Sequence, residues 1–156
     1  MNSGVASAVA GGWQLSTIFA LITGSPVNLT YSAAGLSAPG NSQSPDLVAP
    51  VKILHGIGLN SPWFTPSSFA PPAALAFGST GRNAINGPGL FNFDFSLFKN
   101  IHLSESLRLQ LRGEAFSLTN TPQFSNPGST LGNANFGYVT GAGGGRVMQL
   151  GAHLSF

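Results

Sequence analysis

The sequence has no cysteine, few charged residues and no long apolar run, and each of these absences excludes a class of protein. Without cysteine the chain has neither a disulfide framework nor a thiolate metal site. Charged residues make up 6% of the 156 positions, whereas about a quarter is typical of soluble domains. Lysine and arginine form no cluster of the kind that binds nucleic acid. The apolar run at 18–22 is far shorter than the ~20 residues of a membrane helix. The composition therefore predicts no nucleic-acid partner and no membrane helix.

An alternation of apolar and polar residues with a period of two dominates the stretch 91–120. The odd-numbered residues at 91–97 and 107–111 are Phe or Leu, and the even-numbered residues between them are polar or charged. A short polar break at 103–106 separates the two halves. This pattern predicts a β-hairpin with one apolar and one polar face. A soluble sheet and the wall of a membrane barrel both have this pattern, and they differ in what covers the apolar face.

The rest of the chain adds two further strands and two long connections. The predicted strands cover about 13–31, 90–101, 107–119 and 147–156, with a bend at Gly24 in the first. The connections 33–88 and 121–146 are rich in Gly, Pro, Ser and Asn and lack a sustained period. Ten alternating residues in the last strand match the ~9–11 that cross a bilayer at a tilt. Connections that alternate between long and short are typical of outer-membrane barrels, with the long ones outside. We therefore predict an all-β antiparallel meander of about four long strands, an open segment of a transmembrane β-barrel with two long irregular loops.

The candidate site is a set of four charged residues on the polar side of the hairpin: Asp94, Arg108, Arg112 and Glu114. We interpret them as a structural network facing the barrel lumen; ligand contact inside the barrel is the alternative. Paired carboxylates for hydrolysis are disfavoured because neighbouring arginines keep carboxylates ionised, whereas a general acid has to carry a proton.

No other pattern indicates catalysis, a metal or a cofactor. His55, His102 and His153 lack metal-ligand spacing. The glycine-rich stretch 141–146 leads into a strand, so it lacks the helix N-terminus of a phosphate site. The aromatic residues of the first loop could bind a sugar or a peptide, although packing within the loop is the favoured interpretation: Trp63, Phe64, Phe69 and Phe77. The sequence therefore predicts no enzymatic activity, no metal and no cofactor.

The chain resembles the C-terminal end of the Oar-like TonB-dependent outer-membrane receptors, a type abundant in acidobacteria. The resemblance extends over nearly the whole chain in order and spacing. The matching segments are residues 11–16, 23–26, 63–66 with Phe69, 77–78, 81–83, 87–89, 92–100, 109–116 with Asn120, 149–151 and 155–156.

What the resemblance implies is the last four strands of a larger barrel, which in the family has about 22 strands. Family members import a ligand with the help of a plug domain and a TonB-contacting segment, and neither is found in this sequence. The implied partners are outer-membrane lipid, the remaining barrel and plug, and the barrel-assembly machinery. The last of these would read a C-terminal signal formed by Leu150, Leu154 and Phe156. The implied location is the bacterial outer membrane, although residues 1–12 have no signal-peptide pattern.

The alternative is a standalone soluble β-sheet module that binds carbohydrate or protein through its loops. A soluble module has to bury the apolar row of the hairpin under the rest of the chain, whereas a barrel segment leaves this row uncovered. The six residues that distinguish the two are Phe91, Phe93, Phe95, Leu107, Leu109 and Leu111.

Overall fold

A computed structural model describes residues 9–31 and 43–156 and shows an all-β chain. Residues 1–8 and the beginning of the predicted loop 33–88 lie outside the described residues. A single-turn 3-10 helix covers Pro66–Ser68. In chain order the strands are β1 (Trp13–Ile22), β2 (Pro26–Val27), β3 (Thr30–Tyr31), β4 (Asp46–Leu47), β5 (Phe69–Ala70), β6 (Ile85–Asn86), β7 (Leu90–His102), β8 (Arg108–Phe116), β9 (Gln123–Phe124), β10 (Thr130–Leu131), β11 (Ala142–Gly143) and β12 (Val147–Ser155).

The four long strands form one antiparallel sheet in the order β1-β7-β8-β12. Strand β8 pairs with β7 from Ala115↔Phe95 to Arg108↔His102, and with β12 from Phe116↔Val147 to Arg108↔Ser155. At the other side of β7, the amide of Asn100 donates a 2.8 Å hydrogen bond to the carbonyl of Gly12, and Phe91 packs on Phe19. These two contacts show that β1 runs antiparallel to β7. The predicted meander of four long strands is confirmed.

The register assigns every residue of the sheet to one of two faces, because side chains alternate along a strand and directly paired residues share a face. The face that contains Asp94 also contains Asn100, Gln110, Arg112 and Glu114, and we call it the polar face. The opposite, apolar face consists mainly of large hydrophobic side chains. Its members on the three paired strands are Phe91, Phe93, Phe95, Leu97, Lys99 and Ile101 on β7, Leu109, Leu111, Gly113 and Ala115 on β8, and Met148, Leu150, Ala152 and Leu154 on β12.

The predicted extension of the first strand to Tyr31 is wrong, because β1 ends at Ile22. At Gly24 the backbone passes so close to Gly87 that a Cβ atom at Gly24 would lie 1.7 Å from the Gly87 carbonyl oxygen. The next residues leave the long sheet, since β2 pairs with β6 and β3 pairs with β10. The bend at Gly24 agrees with the sequence pattern, but the strands that pair with β2 and β3 lie 58 or more residues away along the chain, and no local pattern indicates them.

The predicted third strand is also too long, because β8 ends at Phe116 rather than at Thr119. Ser117 has a φ of 50°, in the left-handed region that non-glycine residues seldom adopt. The carboxylate of Asp94 accepts a 2.9 Å hydrogen bond from the Ser117 amide, and the Ser117 hydroxyl donates to the side-chain oxygen of Asn92. These bonds stabilise a turn at 117–119 that ends the strand.

The chain divides into two compact units, which we call the sheet unit and the loop unit. The sheet unit comprises Phe91–Pro122, Gly144–Phe156 and the described part of Met1–Leu21; the loop unit comprises Ile22–Leu90 and Gln123–Gly143. The loop unit therefore combines the two long connections that sequence patterning predicts as irregular loops. It has short two-stranded pairings and a hydrophobic core of eight buried residues: Val27, Leu29, Trp63, Phe64, Phe69, Ile85, Phe136 and Val139.

An aromatic triad forms the centre of this core. The rings of Phe64, Phe69 and Phe136 pack edge to face, with centroids 5.4–5.8 Å apart and interplanar angles of 82–86°. The indole nitrogen of Trp63 donates a 2.8 Å hydrogen bond to the carbonyl of Asn86. Edge-to-face packing is the geometry that aromatic quadrupoles favour. The two long connections are thus folded on each other and share one core.

Candidate functional site

The polar face has a small cluster of charged and amide side chains at its centre. The Arg112 Nε atom lies 3.8 Å from Glu114 Oε2, and the Gln149 amide donates a hydrogen bond to the same oxygen. One step along the sheet, the amide of Gln110 donates a 2.9 Å hydrogen bond to the side-chain oxygen of Asn100. The cluster links β8 to both of its neighbours, because paired residues on one face lie close together. It is a satisfied polar surface of the kind that lines a wet interior.

The four charged residues predicted as a network share this face, but the structure brings only Arg112 and Glu114 together. Asp94 accepts hydrogen bonds from the side-chain amide of Asn92 and the backbone of Ser117, so it serves the turn after β8. Arg108 lies exposed at the far end of β8, where it pairs with His102 and Ser155 in the register. Asn92, Ser117 and Gln149 complete the polar contacts of Asp94 and Glu114, and sequence reasoning missed them because neutral amides and hydroxyls carry no distinctive pattern.

The apolar face is largely uncovered. Of the six residues that distinguish a soluble module from a barrel segment, none is buried: Leu111 is exposed and the other five are half-buried. Phe91 is shielded within the sheet, since Phe19 packs on it edge to face at 5.4 Å, and large side chains on one face shield their cross-strand neighbours in general. Other large apolar residues of this face are exposed: Trp13, Leu15, Phe19, Leu21, Met148, Leu150 and Leu154. A face of this composition is suited to hydrocarbon.

One cation interrupts the apolar face. Lys99 occupies the apolar row of β7 and is only 8% exposed. Its ammonium group lies 4.9 Å from the centroid of the Trp13 ring and donates hydrogen bonds to the carbonyls of Val9, at 2.9 Å, and Gly11. The Trp13 indole nitrogen donates to the same Val9 carbonyl at 2.9 Å. We call this arrangement of Lys99, the Trp13 ring and the two carbonyls the Lys99 clasp. Sequence reasoning overlooked it, although a lone lysine in an otherwise apolar row of a strand is a visible signal.

The sheet and its two faces agree with the result of a comparison against protein-family models. A model described as "Outer membrane beta barrel domain" matches residues 1–149. The chain belongs to this outer membrane β-barrel family. Its location is the outer membrane, and its four long strands are an open segment of a transmembrane barrel. No curated protein and no solved structure matches the chain. Among the residues described, no helix is both long and apolar enough to cross a membrane.

Strand β12 is one of the two edge strands of this outer membrane β-barrel segment, and the three residues predicted as an assembly signal lie on it or directly after it. Leu150 and Leu154 lie on the apolar face, and both are exposed. Leu150 is 92% exposed and Phe156, beyond the end of the strand, is 98% exposed. An edge strand with large exposed apolar side chains is open to pairing with another strand. The three residues are therefore accessible to a partner.

The remaining candidates of the outer membrane β-barrel chain are dispersed. His102 and His153 are exposed on strands of the sheet, whereas His55 packs edge to face on Trp63 in the loop unit, 4.9 Å between centroids. No group of three or more potential metal ligands occurs within 9–31 and 43–156. Of the four loop aromatics, Trp63, Phe64 and Phe69 are buried in the core and Phe77 is 73% exposed.

Proposed function

We propose that this chain is a wall segment of a TonB-dependent outer-membrane transporter of the Oar-like type. In this role it is a structural part of ligand import and performs no catalysis. The polar face would line the aqueous interior of the barrel and the apolar face would contact lipid. By itself the segment does not enclose a pore, because four strands leave two unpaired edges.

The observation that carries the proposal is the contrast between the two faces of one antiparallel sheet. The cluster around Arg112 and Glu114 is a hydrogen-bonded polar surface, while the opposite face exposes large apolar side chains. Outer-membrane strands alternate in this sense, with lipid-facing and lumen-facing residues in strict succession. The TonB dependence and the Oar-like type are supported by the resemblance of residues 92–100 and 109–116, which form the central hairpin.

The proposal includes three kinds of partner. Outer-membrane lipid would cover the apolar face, and the remaining strands and the plug would complete the barrel. The barrel-assembly machinery would engage β12 through Leu150, Leu154 and Phe156. Nucleic acid is not among the partners, since the chain has only six basic residues, dispersed along its length.

The alternative of a soluble module with sugar-binding loops has less support. Three of the four aromatic residues proposed for stacking on a sugar are buried in the core of the loop unit and present no ring face to a ligand. Such a module also needs a covered apolar sheet face, and the large hydrophobic residues of this face are exposed or half-buried.

Substituted cysteines test the assignment of the two faces, and because the chain has no native cysteine, any label on it reports the introduced residue. The chain, supplied with an export signal, is produced in a Gram-negative host together with an Oar-like receptor truncated before its last four strands. Neighbouring β12 residues provide a matched pair, Gln149→Cys on the polar face and Leu150→Cys on the apolar face. We expect a membrane-impermeant maleimide to label the first in intact outer membranes and the second only after detergent is added.

The same cells test transport. Restored uptake of the ligand of the truncated receptor, lost again when TonB is deleted, is the expected result. A chain that remains in the periplasmic fraction and reacts equally at both cysteines would contradict the proposal and favour the soluble module.

A further inference from the structure

A groove on the apolar face of the sheet unit lies directly beside the Lys99 clasp. Trp13, Leu97, Leu111 and Leu150 line it together with Lys99, and Arg112, Gly113 and Gly151 complete the lining. The groove exists because Gly113 provides no side chain in the centre of the face; a Cβ atom there would lie 3.3 Å from Leu150 Cδ2. Its largely apolar lining suits a hydrocarbon chain.

The ammonium of Lys99 contributes a positive charge to this groove, and no carboxylate of the described residues forms an ion pair with it. Two backbone carbonyls and the face of an indole ring stabilise a cation through their dipoles and quadrupole, but none of them has a negative charge. Over residues 9–31 and 43–156 the structure has one ion pair, Arg112 with Glu114, and these side chains belong to the polar face. A buried charge is costly unless it is paired, so the clasp favours an anion in this position.

The position of the clasp along the strand indicates which part of a membrane it meets. Lys99 lies three residues before His102, where β7 ends at the short turn. Three residues correspond to about 10 Å along a strand. Tryptophan and lysine are the residues that proteins place at the boundary between hydrocarbon and headgroups, because each has an apolar body and a polar end. The groove therefore extends from this boundary into the hydrocarbon layer.

We propose that the groove binds an anionic phospholipid from the leaflet at the short-turn end of the strands. One acyl chain lies against Leu97, Leu111 and Leu150, and the phosphate of the headgroup lies beside Lys99. This inference rests on the proposed wall-segment function, in which the apolar face contacts lipid. It adds a preferred headgroup charge and the residue that selects it.

The test measures quenching of tryptophan fluorescence by brominated phospholipids. The full chain is refolded in a zwitterionic detergent and titrated with brominated phosphatidylglycerol, which is anionic, or brominated phosphatidylcholine, which is zwitterionic. Trp63 is buried in the loop-unit core, so contact with bromine reports on exposed Trp13, and Trp13→Phe should abolish most of the quenching. We expect half-maximal quenching at about fivefold lower concentration of the anionic lipid, the factor that one lysine near an anionic headgroup provides.

The two lysines of the chain provide the variant and its matched control. Lys99→Gln should reduce the fivefold preference to about one, while Lys52→Gln, an exposed lysine of the loop unit, should retain it. Equal quenching of the wild-type chain by both lipids would overturn the headgroup site and leave the wall-segment function standing. This wild-type comparison decides the matter even if Lys99→Gln does not fold. Absence of quenching by either lipid would overturn both proposals, since the apolar face then takes up no lipid.

Discussion

Truncation of Phe64 to alanine should unfold the loop unit while the four-stranded sheet remains. Phe64 is fully buried and contacts Phe69 and Phe136 edge to face at 5.6 and 5.4 Å. Through Phe136 it connects the first long connection of the chain with the second. The change removes a buried ring and leaves a cavity between segments that have little regular secondary structure to hold them together.

The expected loss is about 3–5 kcal/mol, the range for Phe→Ala in a core. Most of this follows from the lost transfer free energy and the cavity, and each of the two edge-to-face pairs adds about 0.5–1.5 kcal/mol. A loss of this size raises the population of the open form by about two to four orders of magnitude. It is comparable to the whole stability of many small domains, which is about 5–15 kcal/mol.

Limited trypsin digestion of the full chain in detergent measures this opening. Lys52 and Arg82 are exposed and lie within the loop unit, and a protease cleaves such sites efficiently only when the surrounding chain opens. We expect the rate of cleavage at both sites to rise by at least tenfold in Phe64→Ala. The strand content by circular dichroism should change little, because the long strands belong to the sheet unit.

Phe77→Ala is the matched control, since it removes the same ring from a position that is 73% exposed. Its effect on stability should stay within about 0.5 kcal/mol. If both variants were digested at the same rate as the wild-type chain, the shared core of the two long connections would be refuted.

Three further perturbations test other parts of the chain. Gly24→Ala should destabilise the loop unit by about 3 kcal/mol or more because the added Cβ has no room. Gly81→Ala, at a position that faces open space, should change the unfolding free energy in urea by less than about 1 kcal/mol. Equal effects of the two substitutions would contradict the close approach of Gly24 to the Gly87 carbonyl. Asp94→Asn should lower the unfolding free energy by about 1 kcal/mol, since the hydrogen bond from the Ser117 amide loses its charged acceptor. Glu105→Gln in the exposed turn should leave the unfolding free energy in the same urea titration unchanged. Without detergent or lipid the chain should aggregate because of its uncovered apolar face, and a monodisperse soluble monomer with strand-type circular dichroism would contradict this.

The long strands of the sheet could be predicted from the sequence because their signal is local. Period-two alternation needs only a few neighbouring residues, and the bounds of β7, β8 and β12 fall within three residues of the predicted ones. The ends of the strands were less predictable. The end of β8 depends on a hydrogen bond between Asp94 and a residue 23 positions later. The alternation of residues along the strands groups Asp94 with the arginines on one face, but it does not indicate this hydrogen bond.

The loop unit was beyond prediction from local patterns. Its core joins Phe64 to Phe136, 72 positions apart, through segments whose apolar residues follow neither a helical nor a strand period. Strands of two residues, such as the paired β3 and β10, are too short to show an alternation of apolar and polar residues. The Lys99 clasp lies between these extremes. Lys99 breaks the alternation visibly, but the carbonyls of Val9 and Gly11 that accept its hydrogen bonds can be identified only from the fold.

The two outermost strands of the sheet, β1 and β12, run in opposite directions, as follows from four strands that alternate in direction. A four-stranded sheet whose outermost strands run in opposite directions can be placed next to another such sheet so that the two strands that meet are antiparallel. No strand has to reverse its direction. Duplication or deletion of such sheets would change the circumference of a barrel in steps of four strands and keep the same ends of the strands on the same side of the membrane. The geometry of this sheet thus offers a simple route by which barrels of different width could arise from one repeated piece.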